Sequence, residues 1–402
     1  MPFFLLITII PFFYACAPLK SLGPSGEPPA PPVKQEQPSE PKQPKSITED
    51  NVPGKEPELP KDTTKRHTID VGVGFEKKSA VISCPEKKWE FKAKANLGKT
   101  DIETAGNCTY AGKTYRGGFA VLSTDSGLVI INSLDMEDYL KGVVPHEIGR
   151  LKQEGFEALK AQAVAARTYA YSHLGSRKSQ GFDVYADTRD QVYGGKNDED
   201  SLVNKAISAT NGIVIKHNGK LIEAYYHSTC GGNTETPEVW KQESKPFLLP
   251  VKDSAEGRSF CQVSRYTKWE EKFSKSELAN LFKKNMEAAR ADKTFKFNKV
   301  EQVFIIEKFP SGRVKTLLVF TDTDSFEIHG DRTRWLFQRN GKILPSSAFN
   351  IIRGQNDITL SGSGFGHGIG MCQVGAIERS KTGQSFDEIL KAYYTGVSVE
   401  KY

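Results

Sequence analysis

A single glutamate, Glu147, stands in the segment VVPHEIG at 143–149. Two valines and a proline precede it. Pro145 is predicted to end a short helix over Met136–Val143 and to push Val144 extended, which leaves Glu147 on a turn with an apolar approach. A carboxyl group in partly apolar surroundings keeps its proton to higher pH and can serve as a general acid near neutrality. Gln191 and Tyr193, in QVYGG, suit a saccharide: tyrosine offers a ring face and a hydroxyl, glutamine a donor and an acceptor. Gly194 and Gly195 allow close backbone approach. His367 lies in GSGFGHGIG, where flanking glycines would open its ring to a cleft. His227 and Ser228, in YHSTCGG, follow the same logic, and Gln373 follows in GMCQVGA.

Each of these residues has a plainer alternative. A tyrosine in such a run is as often core as site. His146 adjoins Glu147, but neighbouring side chains on an extended turn diverge. Glu137, Asp138 and Asp187 could be second carboxylates, yet a cap or an ion pair suits each better. Arg167 sits inside an alanine-rich helix and must be paired, with a carboxylate of the site as one partner open to it.

The elements that must position these groups are partly legible. Asp135 is placed to cap the helix before Glu147. Phe156, Leu159, Ala163, Ala166 and Ala170 recur at helical spacing and give a scaffold helix with an apolar side. From 67 to 132 the pattern alternates and is broken by Gly, Asp and Asn, which predicts a small β-layer. Residues 199–211 read as a helix, and 212–228 as a hairpin turning at His217-Asn218-Gly219. A charged amphipathic helix is expected over 268–290, within a helical arm at about 266–298. Strands follow over 299–328, and a last helix over 385–394. The fold class is α+β: a small β-layer, then a mixed helix-and-sheet core from 133 to 402 with a substrate groove.

The chain has 402 residues, 26% charged and 38% hydrophobic, with a net charge of +6. That is enough for a sizeable core. No dense basic stripe is present, so nucleic acid is not expected as a partner. Residues 1–16 read as an export signal: an apolar run to Tyr14, then Ala15-Cys16, with Cys16 as the lipid-modified residue. Residues 17–66 carry 12 of the 21 prolines. They cannot bury enough apolar surface to offset their entropy and form a tether. The chain is therefore expected outside the cytoplasm, in the cell envelope, held to a membrane by a lipid anchor.

Without Cys16, five cysteines remain. Cys84 and Cys108, both in β-like sequence, are expected as one disulfide and Cys230 with Cys261 as a second, leaving Cys372 a buried thiol. His227, Cys230, Cys261 and Cys372 could instead hold zinc. An oxidising compartment and the lack of a CxxC pair favour the disulfide, so no cofactor is expected, with zinc as the alternative.

Seven segments together resemble the SpoIID/LytB family, which is named for stage II sporulation protein D. They are YRGGF at 115–119, LDMEDYLKGVVPHEI at 134–148, ALKAQAVAARTYA at 158–170, DTRDQVYGG at 187–195, AYYHSTCGG at 224–232, GFGHGIGMCQVGA at 364–376 and AYYTG at 392–396. They occur in the family's order and cover roughly Tyr115 to Tyr402. The resemblance implies a peptidoglycan-acting protein. Sporulation members are lytic transglycosylases that cut glycan strands lacking stem peptides, and others enhance a cell-wall amidase. The family's acid falls on Glu147, although Pro145 before it and Ile148-Gly149 after it depart from the family's local order. The expected activity is lytic transglycosylation of glycan strands, the alternative a non-catalytic glycan-binding module or amidase enhancer. A zinc-dependent wall hydrolase is a third option, but no HExxH motif is present.

Overall fold

A computed structural model describes residues 68–93 and 98–402. The expected signal, Cys16 and the tether lie outside these residues.

The first part is β-sheet. The strands are β1 (Thr68–Glu76), β2 (Ser79–Ser83), β3 (Lys88–Lys92), β4 (Gly98–Ile102), β5 (Cys108–Tyr110), β6 (Lys113–Tyr115), β7 (Gly118–Thr124) and β8 (Gly127–Asp135). One sheet runs β3-β2-β5-β6, and Cys84 and Cys108 are disulfide-bonded across it. A second sheet runs β4-β7-β8-β1 and is completed by β9 (Val184–Tyr185), which lies parallel to β1. The inward residues Val121, Leu128, Ile130 and Leu134 form one wall of the main apolar core.

β8 leads directly into α1 (Met136–Glu147). Asp135 caps it, its carboxylate accepting from the Glu137 amide at 2.8 Å. The helix continues through Pro145, contrary to the sequence expectation, and Glu147 is its last residue. Pro145 removes one hydrogen bond only a residue or two from the end, and the Ile148 amide still reaches the Val144 carbonyl at 3.1 Å. Val143 and Val144 are fully buried. Their packing outweighs the local preference for an extended residue before proline.

α2 (Phe156–Ser172) is the central scaffold. Its middle, from Ala161 to Ala170, is buried on every side, because alanines let neighbours approach closely. Those neighbours are α1, α3 (Ser201–Ala209), β10 (Ile213–His217) and two later helices. A short hairpin joins β10 to β11 (Lys220–Leu221) through Asn218 and Gly219, both at positive φ. The chain then leaves the hairpin, and β12 (Tyr226–His227) pairs elsewhere.

After a small hairpin of β13 (Ser254–Ala255) and β14 (Arg258–Ser259) comes a segment with its own apolar core. The helix expected over 268–290 is instead β15 (Trp269–Ser274) followed by α4 (Lys275–Asn285). Trp269 and Phe273 point inward while Glu270, Lys272 and Ser274 point out, a strand period. Ser274 is the cap of α4, accepting from the Glu277 amide. β16 (Val300–Lys308), β17 (Val314–Thr321) and β18 (Ser325–His329) form a meander. α5 (Thr333–Leu336) follows, then β19 (Phe349–Arg353) and β20 (Asp357–Gly362); β20 pairs with β15 on one side and β19 on the other.

The chain then returns to the first core. β21 (Met371–Cys372) pairs parallel with β12. α6 (Gln373–Lys381) and α7 (Phe386–Tyr393) pack on α2, and β22 (Ser398–Lys401) closes on β10. α7 starts with a capping box of Ser385 and Glu388. The architecture is α+β. No helix among the described residues is long and apolar enough to cross a membrane.

Candidate functional site

Glu147 ends α1 where three segments meet. Its Oε1 accepts from the Val192 amide at 2.8 Å, and the Gln373 side chain also hydrogen-bonds to it. Burial raises its pKa from 4.5 to about 7, while those two donors pull the other way. No other carboxylate among the described residues contributes to the shift. The group is thus a lone acid, protonated near neutrality through desolvation.

Two glycines let the 191–195 loop reach it. A Cβ at Gly142 would stand 2.6 Å from the Gly195 carbonyl oxygen, and one at Gly194 would collide with the His146 ring. The Gly194 amide bonds the Gly142 carbonyl at 3.0 Å, which sets the loop against α1.

Gln191 and Tyr193 are not open saccharide contacts; both are buried. Tyr193 donates to Asn132 at 2.9 Å and packs on Tyr115 and Tyr139. Gln191 accepts from the Tyr139 hydroxyl at 3.0 Å, and its amide donates to the Tyr226 hydroxyl at 2.9 Å and the Ala166 carbonyl at 3.2 Å. Such a glutamine fixes two tyrosines beside the acid: burial raises the pKa of both Tyr139 and Tyr226, and the charge of Glu147 adds to it. Neither tyrosine was singled out in the sequence. Tyr226 stands in the quoted AYYHSTCGG, but its hydroxyl meets the acid only through tertiary packing.

Arg167 is fully buried and forms a bidentate pair with Glu137 at 2.6 and 2.7 Å. It also reaches the Ile213 carbonyl at 3.1 Å. It is a structural bolt between α1, α2 and β10, not a substrate contact. Asp138 pairs with Lys141, and Asp187 with Arg189. Asp190 is also committed, to Tyr169 and Arg177.

His367 accepts from the Ile369 amide through Nδ1, so Nε2 carries the proton and donates to the Tyr226 carbonyl at 3.0 Å. Burial drops its pKa to about 4. His227 is buried, its Nδ1 donates to the Ile369 carbonyl at 3.1 Å, and its Nε2 has no partner among the described residues. Its pKa is also lowered, by burial and by His367. Both rings are neutral and shape the GHGIG turn around Glu147's neighbours; neither is a proton donor near neutrality. Ser228 is half-buried, within 3.3 Å of the Thr229 hydroxyl. Trp240, half-buried, lies 4.8 Å from the His367 ring and 5.2 Å from Tyr225.

Cys84 and Cys108 form the expected disulfide and Cys372 is a buried thiol, but the second expected pair is not formed. Cys230 and Cys261 are not bonded: their sulfurs are 3.4 Å apart, against about 2.05 Å for a disulfide. Cys372 joins them, and the fourth member is Asp253 rather than His227. His227 fails to join because its Nδ1 is spent on Ile369 and its ring is directed at His367. Asp253 stands in KDSAEG, a segment with no ligand spacing, so no sequence pattern marks it.

Residues 124–217 match the family model described as stage II sporulation protein, and residues 257–370 match a domain of unknown function. An uncharacterized protein of Brachyspira hyodysenteriae is 32% identical over 302 residues, which cover 75% of this chain and 76% of that one. The chain belongs to the SpoIID/LytB family. The amidase enhancer of Bacillus subtilis is 31% identical over 65% of this chain and 40% of its own length. Stage II sporulation protein D of the same species is 28% identical over 67% of this chain and 76% of its own length. In this SpoIID/LytB chain the family-model match spans α1, α2 and the 191–195 loop, and so holds Glu147 and Val192 but not Tyr226 or Gln373. The second match falls largely on the segment with the separate core.

Proposed function

We propose that the chain is an exported lytic transglycosylase that cuts peptidoglycan glycan strands lacking stem peptides, with Glu147 as its acid and base. The Glu147 carboxyl donates its proton to the glycosidic oxygen as the bond from C1 breaks. The C6 hydroxyl of the same muramyl residue attacks C1 and gives its proton to the Glu147 carboxylate. One 1,6-anhydro end and one free hydroxyl result, no water is consumed, and the acid is restored. A hydrolase would want a second carboxylate to activate water. The observation that carries the proposal is a half-buried acid with no carboxylate beside it, its pKa raised by desolvation to about 7. Val192 and Gln373 hold the carboxyl group in place, and Tyr226 and Tyr139 exclude water beside it. The Cys16 anchor and the 17–66 tether belong to the same proposal, placing the domain between a membrane and the wall.

The resemblance to an amidase enhancer supports a second role, as a glycan-binding partner of a cell-wall amidase. Mass spectrometry of peptide-free glycan strands treated with the full chain, beside Glu147→Gln, separates the two. Anhydro ends made only by the unaltered chain support the transglycosylase. Reducing ends mean hydrolysis. Strands retained but uncut by both proteins, with an amidase still stimulated by both, support the enhancer.

A further inference from the structure

Four side chains distant in sequence converge at the start of α6. Cys230, Asp253, Cys261 and Cys372 are all buried, and one donor atom from each lies within 4.8 Å of the others. Cys230 Sγ is 3.4 Å from Cys261 Sγ and 3.4 Å from an Asp253 oxygen. Sulfurs sharing a tetrahedral zinc ion at about 2.3 Å each stand roughly 3.7 Å apart. The observed spacing is close to that, and far from a covalent bond.

Backbone amides face two of the three sulfurs. The Gly232 amide donates to Cys230 Sγ at 3.3 Å. The amides of Cys230 and Gly375 donate to Cys372 Sγ at 3.2 and 3.3 Å. Gly231 and Gly232 hold positive φ, as a turn whose amides face sulfur requires. Cys372 also caps α6, whose dipole favours negative charge there. Asp253 is oriented by outer partners: one oxygen accepts from Arg379 at 3.0 and 3.2 Å and from the Tyr393 hydroxyl at 3.0 Å. Ligating carboxylates are held in this way. The buried Arg379 guanidinium also offsets part of the charge that three thiolates and a carboxylate would carry.

We propose that Cys230, Cys261, Cys372 and Asp253 bind one zinc ion in a closed, structural site. Three sulfur donors select a thiophilic cation over magnesium or calcium. Four protein donors fill a tetrahedron and leave no place for a reactive water. The ion would tie the end of the β12 segment, the β13–β14 hairpin region and the start of α6 together, and α6 begins with Gln373. Coordination also keeps the three thiols from oxidising.

The test is the metal content of the full chain, purified without chelator and assayed by mass spectrometry. One zinc per chain is expected, with Cys230→Ser and Asp253→Asn each losing at least half of it and Cys84→Ser/Cys108→Ser losing none. Cobalt exchanged into the unaltered chain should show intense thiolate-to-metal absorption. Should the cysteine variant fail to fold, the stoichiometry and the cobalt spectrum of the unaltered chain still decide. Under a tenth of an equivalent after exposure to zinc, with a Cys230–Cys261 cross-link in the peptide map, overturns the proposal. So does zinc that Cys230→Ser retains in full. Neither result bears on whether the chain cleaves glycan.

Discussion

Glu147 Oε1 and the Val192 amide stand 2.8 Å apart, so the acid and the loop carrying Gln191 and Tyr193 form one unit. The loop supplies the donor that fixes the carboxyl group and, through Gln191, the tyrosines that desolvate it. The elevated pKa of Glu147 is therefore a property of how α1 and the loop pack.

With a pKa of about 7, Glu147 is mostly protonated below neutrality and loses its proton above it. Cleavage of peptide-free glycan should stay level on the acid side and fall about tenfold per pH unit above that value. A rate profile flat from pH 6 to 9 would remove Glu147 from the acid role.

The same shift has a stability consequence of definite sign. The folded-state pKa lies above the ordinary value of 4.5, so the folded protein binds this proton more tightly than the unfolded chain does. The contribution is fully present below about pH 4.5 and is lost as pH rises through about 7. Glu147→Gln keeps an acceptor for Val192 and has no proton to lose. Its stability relative to the unaltered chain should rise between pH 5 and 8, by up to about 3 kcal/mol. Urea unfolding at the two pH values measures this, and an equal difference at both contradicts it.

Arg167 is wholly buried and paired with Glu137. Glu137→Gln leaves that guanidinium without its counter-charge and should cost about 3 kcal/mol. Replacing both residues with apolar ones, Glu137→Leu with Arg167→Met, should recover most of the loss. Chemical denaturation of the single and double variants gives the answer. A single variant within 0.5 kcal/mol or so of the parent would mean the pair is dispensable.

Gly142 faces the Gly195 carbonyl and the Tyr193 ring with no room for a methyl group. Gly142→Ala should cost about 1–3 kcal/mol through overpacking. It should also lower turnover on glycan by about tenfold, the loss that about 1.4 kcal/mol at the barrier produces, as Val192 is moved from Glu147. Unchanged turnover in a destabilised protein would show that the loop and the acid are not coupled in this way.

Local signals are legible in the chain. Asp135, the Asn218-Gly219 turn and the Ser385–Glu388 box act through contacts a few residues long, so caps and hairpins were legible. WEEKFS reads as helix in sequence because a charged amphipathic strand beside a true helix blends into one helical pattern. Only pairing with Asp357–Gly362 reveals the strand. Pro145 misled in the opposite direction, since burial of Val143 and Val144 overrode a local preference.

By itself the sequence determined the α+β class, the SpoIID/LytB membership and the single glutamate worth testing, because these depend on residue types in order. Tertiary structure decided what those residues meet. It buried Gln191 and Tyr193 as supports, turned Arg167 into an ion-pair bolt, and gathered Cys230, Cys261 and Cys372 around Asp253 in place of His227. Proximity across more than a hundred residues is set by how the helices and sheets pack around α2. Neither the spacing of cysteines nor the character of a loop encodes that distance.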